Sequence, residues 1–134
     1  MSSIPAPTPR HQLINGRWQI PMEELKADKR SELAASRWHA ETSGVNGIRT
    51  DRESQSMITG AALKAMQDSE YVCKWKTEAG FVELNATQIL AIADAVRVHV
   101  QSCFDREAEL LALVDAATTP EELEEITWSM PTSS

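Results

Sequence analysis

Cys73, His99 and Cys103 are the side chains of this chain best suited to hold a metal ion. His99 and Cys103 stand four residues apart in an apolar-periodic stretch, a spacing that puts both on one face of a helix. Cys73 lies on a β-prone segment just upstream and offers a third ligand. A zinc site needs about four ligands, and no CxxC or HxxxH supplies the fourth. Cys103 also falls on an apolar line, where a free cysteine is an ordinary core residue. Asp51 and Glu53 form the nearest approach to a catalytic carboxylate pair. Their place at the start of a helix explains them by capping and by the helix dipole. There is no G-x-S-x-G elbow, no P-loop and no GxGxxG. His11, His39 and His99 are scattered with respect to the two cysteines. The expectation is no metal, no cofactor and no enzymatic activity.

Three tryptophans suggest a different kind of chemistry. Trp18, Trp38 and Trp128 lie in segments too polar or too short to bury them well. Tryptophan and arginine are favoured anchors at protein interfaces. Trp18, Trp38, Trp128 and the neighbouring Arg17 are therefore candidate partner-binding residues. The plainer alternative is that the tryptophans fold back onto the core.

Composition narrows the partner. The net charge of −7 and pI of about 4.9 disfavour nucleic acid, whose backbone calls for a basic face. They equally disfavour an anionic membrane surface. From Asp105 to Ile126 the acids Asp105, Glu107, Glu109, Asp115, Glu121, Glu122, Glu124 and Glu125 face Arg106 alone. Such a run is ordinarily a solvated helical face, and a basic partner is the sharper reading. No window approaches the ~18 apolar residues of a membrane span. No apolar h-region opens the chain, so two reduced thiols in a cytoplasmic protein are expected.

The elements that position these residues follow from local signals. Pro5, Pro7 and Pro9 make an extended lead. Asn15-Gly16 between short apolar runs predicts a hairpin, 11–14 and 17–20, with Trp18 its one large anchor. Pro21 opens a highly charged helix over 22–43, with Met22, Leu25, Leu33, Ala34 and Trp38 as its sparse apolar set. That stripe predicts loose packing, and Gly44 and Gly47 end the helix. Ile48 is expected on a very short strand. Thr50 and Glu53 read as a capping box for a helix over 51–67. Residues 71–76 and 81–84 read as a second hairpin turned at Gly80, with Tyr71, Cys73 and Trp75 on one face and Lys74 and Lys76 on the other. Asn85 and Gln88 form a capping box for the longest helix, 86–117. Its apolar line is Ile89, Ile92, Ala93, Val96, Val100, Cys103, Phe104, Leu110, Leu111 and Val114, interrupted by Glu107. The line suits a monomer core, which is favoured, and is also compatible with a dimer seam. Thr119-Pro120-Glu121-Glu122 starts a last short helix, 120–127.

The run Gly47-Ile48-Arg49-Thr50-Asp51-Arg52-Glu53-Ser54-Gln55 carries a family resemblance, with Ile58, Ala61, Trp75-Lys76, Phe81-Val82, Leu84 and Asn85. It continues through Ala91-Ile92-Ala93, Ala95-Val96, His99-Val100, Gln101, Cys103-Phe104, Arg106-Glu107 and Glu109-Leu110. The ending Ala116-Ala117 to Thr119-Pro120-Glu121-Glu122-Leu123 completes it. Across about Trp38 to Ile126 the chain resembles an uncharacterised domain family common in bacteriophage and prophage tail gene clusters. Leu13-Ile14-Asn15-Gly16-Arg17-Trp18, leading into the charged helix, is similar to pieces of phage tail fibre assembly proteins. No catalytic residues come with either resemblance.

The expected fold is α+β: a small antiparallel hairpin sheet packed on two or three helices, one of them long, with Ile48 as a third strand. Residues 1–46 are expected to form an interaction arm of lead, hairpin and polar helix, 47–128 the α+β domain, and 129–134 a tail. The resemblance implies a non-enzymatic tail protein that assists tail fibre assembly or attachment by docking on a tail fibre or other tail protein. The alternative is a structural tail or baseplate component retained in the virion. The location implied is the host cytoplasm during assembly, or the virion tail.

Overall fold

The computed structural model describes residues 5–77 and 79–131. Its elements run in the order β1 (Gln12–Ile14), β2 (Arg17–Gln19), α1 (Met22–Glu41), α2 (Arg52–Gln67), β3 (Val72–Thr77), β4 (Gly80–Asn85), α3 (Ala86–Ala116) and α4 (Pro120–Glu125). The fold is α+β, four helices with two small antiparallel sheets among the described residues. The chain divides into two compact units, Met1–Ala35 with Glu107–Ser134, and Ser36–Arg106. Helices α1 and α3 each contribute residues to both.

In the first unit, Asn15 (φ 50°) and Gly16 (φ 79°) make the tight turn that sets Leu13 opposite Trp18 and Ile14 opposite Arg17. Positive φ at both turn positions is the reason for the Asn-Gly pair. The core of this unit is Leu33, Leu110, Val114, Ala117, Leu123 and Ile126. Met22, Leu25, Leu111, Trp128 and Met130 pack against it. Thr119 caps α4 by accepting a hydrogen bond from the Glu122 amide, and Glu122 in turn accepts one from the Thr118 amide. Lys26 donates to the Asp115 carbonyl in the last turn of α3, and Lys29 donates to the Ile126 carbonyl. Cations at those ends complement the exposed helix carbonyls.

The sparse apolar stripe of α1 predicts a loosely packed arm. The structure corrects this: Leu33 is fully buried at the centre of that core. Charge counts along a helix measure how much of its surface is wet. They do not say how deep its few apolar residues sit.

In the second unit, β3 and β4 pair with Cys73 opposite Leu84 and Trp75 opposite Val82. Exposure alternates along β3: Cys73 and Trp75 face inward, and Lys74 and Lys76 outward. Ala65, Ala86 and Ile89 form the core here, joined by Ala61, Tyr71, Cys73 and Leu84. Ile58, Trp75 and Ile92 extend the contact between the hairpin, α2 and α3. The Asn85 and Gln88 side chains each accept the other's backbone N–H, at 2.9 Å both ways, as the capping box predicts. Along α3 the buried positions Ile89, Val96, Cys103 and Leu110 recur every seven residues.

Two local expectations are corrected. Ile48 does not add a third strand to the β3–β4 sheet. It pairs with Val45 through two backbone hydrogen bonds across a second Asn-Gly turn, Asn46 (φ 49°) and Gly47 (φ 80°). The cap of α2 is Asp51, not Thr50, and its carboxylate accepts from the Ser54 amide and hydroxyl. Thr50 is unavailable for capping because its hydroxyl is engaged elsewhere.

Candidate functional site

The engagement of Thr50 leads to Glu41, the last residue of α1. A carboxylate at a helix C-terminus meets unfavourable dipole, and burying it adds a desolvation penalty. Glu41 is nevertheless fully buried. Arg37, one turn back, donates to Oε1 at 2.8 Å. Arg52, from the first turn of α2, grips both oxygens, with Nη2 on Oε1 at 3.0 Å and Nε on Oε2. Gln55 donates to Oε2 at 3.0 Å and also to the Thr50 carbonyl at 2.7 Å. Burial pushes the Glu41 carboxyl up, but the bonds from Arg52, Gln55 and Arg37 outweigh it and hold the group below the usual carboxylate range.

The backbone around Glu41 is closed by Thr50. Its hydroxyl donates to the Glu41 carbonyl at 2.6 Å and accepts the Gly44 amide at 2.9 Å. This ties the end of α1 to the start of α2 across the Val45–Ile48 turn. Gly44 sits at φ 97°, and a Cβ there would lie 3.2 Å from the Ile48 carbonyl oxygen, so any other residue is strained at this position. The Arg37 guanidinium lies 4.5 Å from the centre of the Phe104 ring, and Arg52 lies 5.1 Å from that of Trp38. Both are cation–π distances.

The motif read as a capping box is therefore the clasp of a buried carboxylate. Thr50, Arg52 and Gln55 converge on Glu41, while Asp51 caps the helix that carries them. Glu41 itself escaped sequence reasoning, since it looks like one more charge on a charged helix. The second Asn-Gly turn was the available signal that the chain doubles back there.

The candidate metal ligands have other partners. His99 Nε2 donates to the Ala40 carbonyl at 2.9 Å, and Cys103 is buried. Burial pushes the Cys103 thiol up, and the nearby Glu41 charge adds to this. Among the described residues no three potential ligands converge.

The candidate partner-binding residues do not form one cluster by unit. Trp38 lies in the second unit, half-exposed and stacked by Arg52. Trp18, Arg17 and Trp128 lie in the first unit, where Arg17 is exposed, Trp18 half-buried and Trp128 packed against the core.

The second unit also holds a groove of about 580 Å³. One wall runs along Arg49, Asp51, Glu53, Ser54 and Met57, and the other along Lys74–Thr77 and Phe81. Of the twelve large hydrophobic side chains exposed among the described residues, all but Leu13 and Leu113 lie between Trp38 and Phe104. The large aliphatic side chains buried in that span are only Ile58, Ile89 and Val96.

Comparison with family models matches residues 24–127 to the domain of unknown function DUF4376. The match includes nearly all of α1 and both cores. No curated protein and no solved structure matches the chain.

Proposed function

The chain belongs to the DUF4376 family, and we propose that it is a non-enzymatic bacteriophage or prophage tail protein. It assists tail fibre assembly or attachment by docking on a tail fibre or another tail protein in the host cytoplasm. The observation that carries the docking part is the apolar surface of the second unit. Contiguous exposed apolar surface marks interaction sites, and ten large hydrophobic side chains between Trp38 and Phe104 in the sequence are exposed. The tail assignment is supported by the sequence resemblance described above. The Glu41 clasp supports a structural role for the run around residues 50–55, because Thr50, Arg52 and Gln55 all bond to Glu41 within the chain.

The test is reciprocal co-purification of the tagged full-length chain with the tail fibre protein from phage-producing cells, together with proteomics of purified particles. An assembly factor is captured with the fibre protein and is missing from finished particles. The alternative, a structural tail or baseplate part, predicts fixed stoichiometry in particles. Failure to capture any tail protein, with absence from particles, overturns both. Trp38→Ala and Phe81→Asp are expected to weaken capture by about 2 kcal/mol each if these are interface anchors.

A further inference from the structure

β3 is bonded to β4 along one edge only. In an antiparallel pair, alternate residues aim N–H and C=O at the partner and the others aim them away. Among the described residues no backbone group outside the hairpin pairs with β3 along Val72–Thr77. The groove runs along β3, between it and residues 49–57. Lys74, Trp75, Lys76 and Thr77 are consecutive and alternate between faces, yet all line it. Only Phe81 of β4 joins them.

We propose that the free edge of β3 docks an extended acidic segment of a partner protein, which adds as a third strand with its carboxylates beside Lys74 and Lys76. This rests on the docking reading above and supplies the chemistry of the partner. A two-stranded sheet is marginal alone, and strand addition completes it with main-chain hydrogen bonds. Side-chain selection then comes from the two faces. On one, Trp75 and the exposed Met57 receive apolar residues. On the other stand Lys74 and Lys76, both exposed, with no ion pair among the described residues. Glu83 faces Lys74 across the hairpin in register. Asp51 on the opposite wall is already committed to Ser54 and to Arg49 at 3.7 Å. Within the groove lining itself Lys74 and Lys76 then stand against Glu53, with Glu83 beside Lys74 outside it and Lys76 set opposite the uncharged Phe81.

The same lysines argue against a second copy of β3 as the occupant. An antiparallel self-pair centred between residues 74 and 76 sets lysine against lysine, and like charges directly opposite are destabilising. Lysines also guard edges against any pairing. An acidic strand turns that repulsion into attraction, so the edge is closed to itself and open to a partner of the opposite sign.

The experiment uses the full chain, isotope-labelled, titrated with an acetylated, amidated peptide of alternating Glu and Val. Saturable binding is expected, with amide shifts confined to residues 72–77 and the 49–57 wall. A Lys–Val peptide should bind at least about tenfold more weakly, and Lys74→Glu with Lys76→Glu should invert the preference. A Glu–Val peptide N-methylated at alternate amides should lose binding. Lack of saturable binding, equal affinity for both peptides, or shifts elsewhere overturns the proposal. Unchanged melting of the double variant confirms that the fold is intact. Fibre capture that survives the double charge reversal overturns this edge while leaving the docking reading standing. Peptide binding without any tail-protein capture does the reverse.

Discussion

Replacing Glu41 by glutamine keeps the volume and removes one charge from the centre of the clasp. Arg37 and Arg52 then lose their common counter-ion, and the new amide NH2 faces donors where Glu41 offered acceptors. Removing one partner of a buried ion pair costs about 3–5 kcal/mol, because the remaining group stays out of water without its counter-charge. The two arginines differ here. The Arg37 side chain is 15% exposed and stays confined, whereas that of Arg52 is 54% exposed and regains water. Discounting the Arg52 share for solvent screening leaves about 2–3 kcal/mol for Glu41→Gln. Arg52→Ala should cost only about 1 kcal/mol, since Arg37 and Gln55 still hold the carboxylate. Urea unfolding followed by far-UV circular dichroism measures both, with the midpoint shifting and the slope unchanged. A Glu41→Gln loss below about 0.5 kcal/mol, or one smaller than that of Arg52→Ala, would show that the clasp does not hold the α1–α2 connection.

Three further outcomes follow from the same contacts. Thr50→Val strands the Gly44 amide and the Glu41 carbonyl, so a loss of about 2–3 kcal/mol is expected by denaturant titration, against little change for Thr59→Val on the exposed face of α2. Leu33→Ala empties a fully buried site and should cost about 3–5 kcal/mol, and deletion of residues 1–43 should yield insoluble protein; a soluble, cooperatively melting truncation would mean the first core is dispensable. The Glu41 and Asp51 carboxyls both titrate below their ordinary values when folded, Glu41 despite its burial and Asp51 through its bonds from Ser54. As pH falls, the unfolded chain takes up these protons first. Their stabilisation is therefore full above about pH 4.5 and is lost as pH drops through the folded values. The acid limb of a stability–pH profile should flatten in Glu41→Gln.

Signals confined to a few neighbouring residues were enough to determine most of the elements. Asn15-Gly16 set a hairpin turn because both positions need positive φ. Asn85 with Gln88, and Thr119 with Pro120, set helix starts because orphan amides at those ends need acceptors. The alternation Cys73, Lys74, Trp75, Lys76 set which face of β3 is wet. The seven-residue spacing of Ile89, Val96, Cys103 and Leu110 marked the buried line of α3. Local propensity could not decide between Thr50 and Asp51 as the cap, since either side chain can accept the amide three residues on. That choice was made by Gly44 and the Glu41 carbonyl, six and nine residues away, which claimed the threonine hydroxyl. The burial of Glu41 and Leu33 was equally beyond the sequence. On a helix crowded with charges, depth is decided by what packs against it, and the partners of Leu33 lie beyond residue 109. The groove along β3 likewise exists only because α2 and its leading loop stand across from that strand, a placement set by packing rather than by any local run of residues.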